Sequence, residues 1–293
     1  GSAGVDIMTG GGGVDKLDGK DGSDLYIIAA IAEHSAAEVT DTGTSGTDEL
    51  RFTSTTASTL NLFAGDTGLE LVTMGTGTGS SAVATGTAAL NINAAAVLNG
   101  LTIQGNNGAN ALTGTAYADT IFGGGGNDAI NGGAGNDTLT GGSGVDTFTV
   151  GSGVDAITDL GLGGADVLIV SAGATANVAV ITAWTATASS VNSGTEIMTT
   201  NGWAVNLAAV ITGNGFAVIN TGGATTLTGS GLADSLTGGA GADVLNGGAG
   251  NDTLAGAEGN DILTGGAGTD AMNGGNDPDL YIIAAIAEHS AAE

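Results

Sequence analysis

The chain lacks cysteine, carries one proline (Pro278) and has only three cationic side chains, Lys16, Lys20 and Arg51. Each shortage excludes something. Without cysteine there is no disulfide framework and no zinc–thiolate site. Against those three bases stand 30 acids, a formal charge of -27. The clustered positive charge of a nucleic-acid footprint is therefore missing, and bound cations are the expected counterpart. Aromatics make up 3% of the chain, too little area for a thick core. Hydrophobic residues make up 41%, too many for a disordered segment. A thin-cored repeat structure satisfies both numbers. No apolar run approaches the roughly 18 residues of a membrane span. No basic-then-apolar leader opens the sequence, which starts and stops inside repeats and reads as an excerpt of a longer chain.

What is abundant is glycine, 57 of 293 residues, and it keeps register with aspartate. Acids recur every nine residues in three runs: Asp6, Asp15 and Asp24; Asp119, Asp128, Asp137, Asp146 and Asp155; and Asp234, Asp243, Asp252, Asp261, Asp270 and Asp279. Glycine tolerates the left-handed, crowded backbone of a tight turn, and a carboxylate at its end is a hard oxygen ligand. A period held this long is a repeat architecture.

A longer period encloses it. DLYIIAAIAEHSAAE at 24–38 returns unchanged at 279–293, an offset of 255 residues. Weaker matches halve the unit: TDTGTSGTDEL from Thr40 with TDLGLGGADVL from Thr158, and LTGTAYAD from Leu112 with LTGSGLAD from Leu227. The expected organisation is a strip at 1–23 closing a preceding module, a first module at 24–145, a second at 146–278 and the start of the next repeat at 279–293. Each module reads as a β segment (24–104, 146–221) followed by an aspartate strip (105–145, 222–278), stacked without a linker. Alternation at Leu50/Phe52, Leu60/Leu62, Leu90/Ile92 and Val205/Leu207 marks the β segments. Ala-rich Ile31–Glu38 is the single helix candidate, about two turns long.

Complete G-G-x-G-x-D copies end at Asp15, Asp128, Asp137, Asp146, Asp243, Asp252 and Asp270. Near copies end at Asp6, with Ser2 for a glycine, and at Asp261, with Ala257. A large apolar residue follows two places on: Leu17, Ile130, Leu139, Phe148, Leu245, Leu254 and Met272. This unit resembles the nonapeptide of the RTX proteins, a calcium-binding secreted family. The resemblance implies an all-β fold, with parallel β-roll strips continuous with β-solenoid or β-helix-like segments. Six residues would form a loop and three a strand, so that loops 18 residues apart stack. Asp119 would then pair with Asp137, Asp128 with Asp146, Asp234 with Asp252 and Asp243 with Asp261. It also implies multiple structural calcium ions on these aspartates and on loop carbonyls, among them those of Gly124, Gly126, Gly133, Gly135, Gly142, Gly144, Gly239, Gly241, Gly248, Gly250, Gly266 and Gly268. Carboxylates about 4.8 Å apart repel by roughly 3–4 kcal/mol at an effective dielectric of 20, so stacking them calls for cations.

Asp119 (GTAYAD), Asp155 (VGSGVD) and Asp234 (GSGLAD) close degenerate loops and read as edge ligands or caps. Asp24 (GKDGSD) and Asp279 (GGNDPD) sit in altered turns. The pairs Asp41/Asp48 and Asp159/Asp166 read as solvated Asx-type turns, with a further ion as the alternative. His34 beside Glu33 reads as surface or structural, since no H-E-x-x-H, G-x-S-x-G or phosphate loop accompanies it. Trp184 and Trp203 read as core plugs, and the Thr-rich stretches as strand formers rather than a ligand-binding hydroxyl ladder. The expected role is a non-enzymatic, calcium-dependent repeat of an extracellular or cell-surface bacterial protein, exported by type I secretion. It would form a stalk, surface layer or filament, with self-association and without nucleic-acid partners or a membrane span. The alternative is an accessory region of a secreted enzyme or ligand-binding adhesin.

Overall fold

A computed structural model of the chain describes residues 1–36, 38–79 and 81–283. It is all-β, and its strands pair in parallel from one coil to the next as a β-solenoid. Two compact units divide it: residues 1–147 with 151–155, and residues 148–150 with 156–293.

In the first unit, one sheet runs through Ile7–Met8, Leu25–Ile28, Glu49–Phe52, Leu71–Met74, Thr102–Gln104, Thr120–Gly125 and Thr138–Ser143. A second sheet runs through Ser58–Asn61, Leu90–Asn93, Ala111–Thr113 and Ala129–Asn131. In the second unit, Thr175–Val180, Thr195–Thr200, Ala217–Asn220, Ser235–Ala240, Thr253–Glu258 and Ala271–Asn276 follow one another in one sheet. Trp184–Thr185, Val205–Asn206, Thr226–Thr228, Val244–Ala249, Ile262–Ala267 and Leu280–Ile282 follow in the other. Within each unit, successive coils thus lay short strands alternately on two sheets.

The core between the sheets is a stack of single apolar side chains. Ile103 lies over Ile121 and Ile121 over Leu139, all fully buried. Leu236, Leu254 and Met272 repeat the arrangement in the second unit. All seven residues at the apolar position of the nine-residue unit are buried, as are all eight alternating residues of the β segments. Each contributes roughly 1.5–3 kcal/mol by leaving water. Register is set by this inward row, because a one-residue slip would turn every such side chain outward.

Three expectations change. Many strands in the strips span six residues rather than three, because pairing continues into the loop: Gly142 pairs with Gly124 and Ser143 with Gly125, while Ala111–Thr113, Ala129–Asn131 and Thr226–Thr228 keep the three. The helix candidate reduces to one 3-10 turn at Ile31–Glu33, with Ala37 outside the described residues. Glu33 takes the amides of Ala29 and Ala30 (2.9 and 3.2 Å), and the backbone is already extended at His34. Of the two tryptophans, Trp184 is a buried plug whose Nε1 donates to the Asp166 carbonyl (3.0 Å), while Trp203 is half exposed. Residues 284–293, most of the second copy of the 15-residue stretch and its His289, lie outside the described residues. No helix among the described residues is long and apolar enough to cross a membrane.

Candidate functional site

From Asp24 onward, each aspartate of the nine-residue register stands at or near the point where a loop hands over to a strand, and its carboxylate reaches the coil before it. The amide of Asp119 donates to Asp137 Oδ1 (2.9 Å), Asp128 to Asp146 (2.8 Å), Asp234 to Asp252 (2.8 Å) and Asp243 to Asp261 (2.8 Å). These are the four pairs that an 18-residue stack requires. The same bond joins Asp6 to Asp24 (2.7 Å), Asp137 to Asp155 (3.0 Å), Asp252 to Asp270 (2.9 Å) and Asp261 to Asp279 (3.0 Å). One oxygen of each carboxylate is thereby committed.

In nine aspartates of the register the other oxygen is not. Oδ2 of Asp15, Asp24, Asp128, Asp137, Asp155, Asp243, Asp252, Asp261 and Asp270 is buried and accepts no hydrogen bond. A buried, unsatisfied carboxylate oxygen is costly and calls for an explanation such as an ion. The first glycine of the loop makes room beside it. A methyl group on Gly123 would collide with Asp128 Oδ2 and the Gly141 carbonyl, and one on Gly247 with Asp252 Oδ2 and the Gly265 carbonyl. Each such place is lined by a carboxylate oxygen and a carbonyl oxygen from the following coil. Hard oxygen donors with no sulfur or imidazole are the set that calcium prefers, and the residues fit that ion.

The other loop glycines shape the backbone. Gly124, Gly126, Gly133, Gly135, Gly142, Gly144, Gly239, Gly241, Gly248, Gly250, Gly266 and Gly268 all have positive φ, between 93° and 144°. A Cβ on Gly142 or Gly144 would run into the carbonyl of Gly124 or Gly126 one coil away. Degenerate loops keep this backbone without glycine: Lys20, Ala257 and Asp277 have φ of 72°, 81° and 78°.

Burial acts on the carboxylates electrostatically. Desolvation lifts Asp128, Asp243 and Asp252 to about 6. It lifts Asp137 to about 7, with the charges of Asp155 and Asp119 adding to it. Asp155 and Asp261 are raised for the same first reason. Without a cation these groups are poised to hold protons.

Three loops close on themselves. Where the second position is Thr or Ser, that residue binds its own aspartate: Thr115 N and Oγ1 to Asp119 Oδ2 (2.6 and 3.0 Å), and Ser230 N and Oγ to Asp234 Oδ2 (2.6 and 2.8 Å). Ser2 N and Oγ reach Asp6 Oδ2 in the same way (2.5 and 3.2 Å). Both oxygens of Asp119 and Asp234 are thereby occupied, since their Oδ1 atoms accept the amides of Leu101 and Phe216, while in Asp6 the bonds fall on Oδ2 alone. The hydroxyl at the second loop position was the available sequence signal.

Acidic stacking also extends beyond the nonapeptides. Asp48 Oδ1 accepts the Asp24 amide (2.8 Å), and Glu70 Oε2 accepts the Asp48 amide (2.8 Å) across steps of 24 and 22 residues. Asp41, Asp48, Asp159 and Asp166 are buried, so the solvated-turn reading of both pairs does not hold. Asp48 is lifted to about 6, first by desolvation and then by its acidic neighbours. Glu196, fully buried with Oε1 unpartnered, is lifted by desolvation to about 8. His34 is not a surface residue: its buried ring bonds Asp66 Oδ2 through Nε2 (3.0 Å) and lies 3.9 Å from Glu38, a structural tie. Arg51, also fully buried, pairs with Glu49 (2.7 Å) and donates to the carbonyls of Gly77 and Gly79 (2.8 and 2.9 Å).

No curated protein matches the chain at a significant level. The family model of the RTX calcium-binding nonapeptide repeat (4 copies) matches residues 1–26, 104–139, 128–157, 219–254 and 247–281. These are the stretches that carry the aspartate stacks with open loops, and the chain is an RTX calcium-binding repeat protein.

Proposed function

We propose that calcium is a structural component of this chain, a staple between coils, and that the folded product is a rigid stalk, surface layer or filament of a cell-surface protein. The observation that carries the reading is the row of buried Oδ2 atoms without hydrogen-bond partners, one per open loop, at Asp15, Asp128, Asp137, Asp243, Asp252, Asp261 and Asp270. Together with facing loop carbonyls, these carboxylates would hold the ions. When bound, calcium supplies positive charge that offsets the repulsion of stacked carboxylates. Asp6, Asp119 and Asp234 act instead as caps, because Ser2, Thr115 and Ser230 already satisfy them.

A chain of charge -27 that needs calcium to fold stays extended where calcium is scarce and folds where it is plentiful. That behaviour suits export by type I secretion and folding outside the cell. The identical 15-residue recurrence at an offset of 255 favours a tandem structural role over an enzyme accessory. Circular dichroism of the purified chain tests the core of the proposal. In millimolar calcium the β signal is full and melts cooperatively, and in EDTA most of it is lost. Equal β content in both conditions overturns it.

A further inference from the structure

We infer that Asp24, Asp41 and Asp48 form a separate cation site of three carboxylates at the end of the first strip, for a hard divalent ion of calcium's size. Asp41 and Asp48 lie outside the matched nonapeptide stretches, and Asp41 holds no place in the nine-residue register. Each of the three acids offers an oxygen within 4.8 Å of those of the other two, and all three are buried, at 1%, 7% and 5% exposure.

The hydrogen bonds around the cluster account for only part of it. Asp24 Oδ1 accepts the Asp6 amide (2.7 Å), Asp48 Oδ1 the Asp24 amide (2.8 Å) and Asp41 Oδ1 the Gly43 amide (2.6 Å). Asp41 Oδ2 accepts the Tyr26 hydroxyl, whose oxygen in turn takes the Gly19 amide (2.8 Å). Asp24 Oδ2 is left buried and unpartnered, against the same Gly19, where a methyl group would strike it. The cluster of three buried acids thus contains a buried carboxylate oxygen without a hydrogen-bond partner. Among the described residues, the ion pairs are those of His34 with Asp66 and Glu38 and of Arg51 with Glu49.

Three carboxylates without nitrogen or sulfur select an oxygen-seeking cation over zinc or copper. The open nonapeptide loops present one carboxylate beside a carbonyl of the following coil, whereas this site gathers three carboxylates. Tyr26 fixes Asp41 in place, which makes it a positioning residue and an optical reporter.

Native mass spectrometry of the calcium-loaded chain counts the ions. Asp41→Asn is expected to fold in calcium, with an unchanged circular dichroism spectrum, and to carry one calcium fewer than the parent. A terbium titration gives the second readout: tyrosine-sensitised emission falls in Tyr26→Phe, which keeps the ring and removes only the hydroxyl. An Asp41→Asn count equal to that of a calcium-loaded parent overturns this site while leaving the strips as they are. A parent that binds no calcium overturns both. Should Asp41→Asn fail to fold in calcium, Tyr26→Phe decides: lost emission supports the site, and unchanged emission overturns it.

Discussion

Thr115 and Gly124 occupy the same position of the nine-residue unit, and the loops they belong to behave differently. In the first, a side-chain hydroxyl and its own amide saturate Asp119. In the second, Gly124 offers no side chain and Asp128 keeps a buried oxygen unpartnered. The second unit repeats the contrast, with Ser230 on Asp234 and Gly239 beside Asp243. One position therefore separates a loop whose aspartate keeps an unpartnered buried oxygen from one that satisfies itself. Both capped loops precede the open ones of their strip. A strip begins with an aspartate that is content without metal and continues with aspartates that are not.

The largest effect that can test this contrast is pH, because it acts on all open loops at once. In the calcium-free chain Asp128, Asp243 and Asp252 (about 6) and Asp137 (about 7) lie above the ordinary carboxylate value near 4. A raised value means that the folded form binds protons more tightly than the unfolded one. Its contribution is full below about pH 4 and is lost as pH rises through 6 and 7. In EDTA, acidification from pH 7.5 to 5 is therefore expected to restore β structure seen by circular dichroism. With calcium present the trend reverses, since protons compete for the ligands. A calcium-free chain that loses structure over that interval contradicts the desolvation argument.

Single substitutions divide the two loop types next. Asp137→Asn or Asp252→Asn should lose about 3 kcal/mol in calcium at 100-fold saturation of the site, and none of that loss in EDTA. Asp119→Asn or Asp234→Asn should lose about 1–2 kcal/mol, the value of the capping hydrogen bonds, whether or not calcium is present. Urea unfolding in millimolar calcium and, at pH 5 where the calcium-free chain is expected to be folded, in EDTA measures both. Equal calcium linkage in the two classes would erase the distinction between them. The smallest effect is at Ala257, held at φ 81° where other loops have glycine. Ala257→Gly should stabilise the calcium-bound chain by up to about 1 kcal/mol, as relief of left-handed strain exceeds the entropy glycine adds. A lower melting temperature for that variant would show that the loop profits from its methyl group.

Much of this was legible in the residues because the repeat is strict. A nine-residue period with two units per coil fixes which aspartates meet, and the apolar residue two places after each aspartate must point inward. The β segments gave up less. Their coils advance by steps of 24 and 22 residues, so no fixed period announces that Asp48 and Glu70 continue the stack begun at Asp6 and Asp24. Asp41 looked like a solvated turn because its partner Tyr26 is distant in sequence, and only the coiling brings them together. Composition alone makes Trp203 a plug, yet it is half exposed. Its neighbour in type, Trp184, occupies the core instead, anchored through its ring nitrogen to Asp166.

The aspartate-to-amide bond has a direction. In every pair of the strips, the coil that comes first in sequence gives its N–H, and the coil that comes later provides the oxygen. A coil is therefore finished only by its successor. For a chain that emerges N-terminus first, the last coil out is the incomplete one, and order trails the point of emergence by a single turn. Structure in such a polymer accumulates behind a front, as a zipper closes behind its slider.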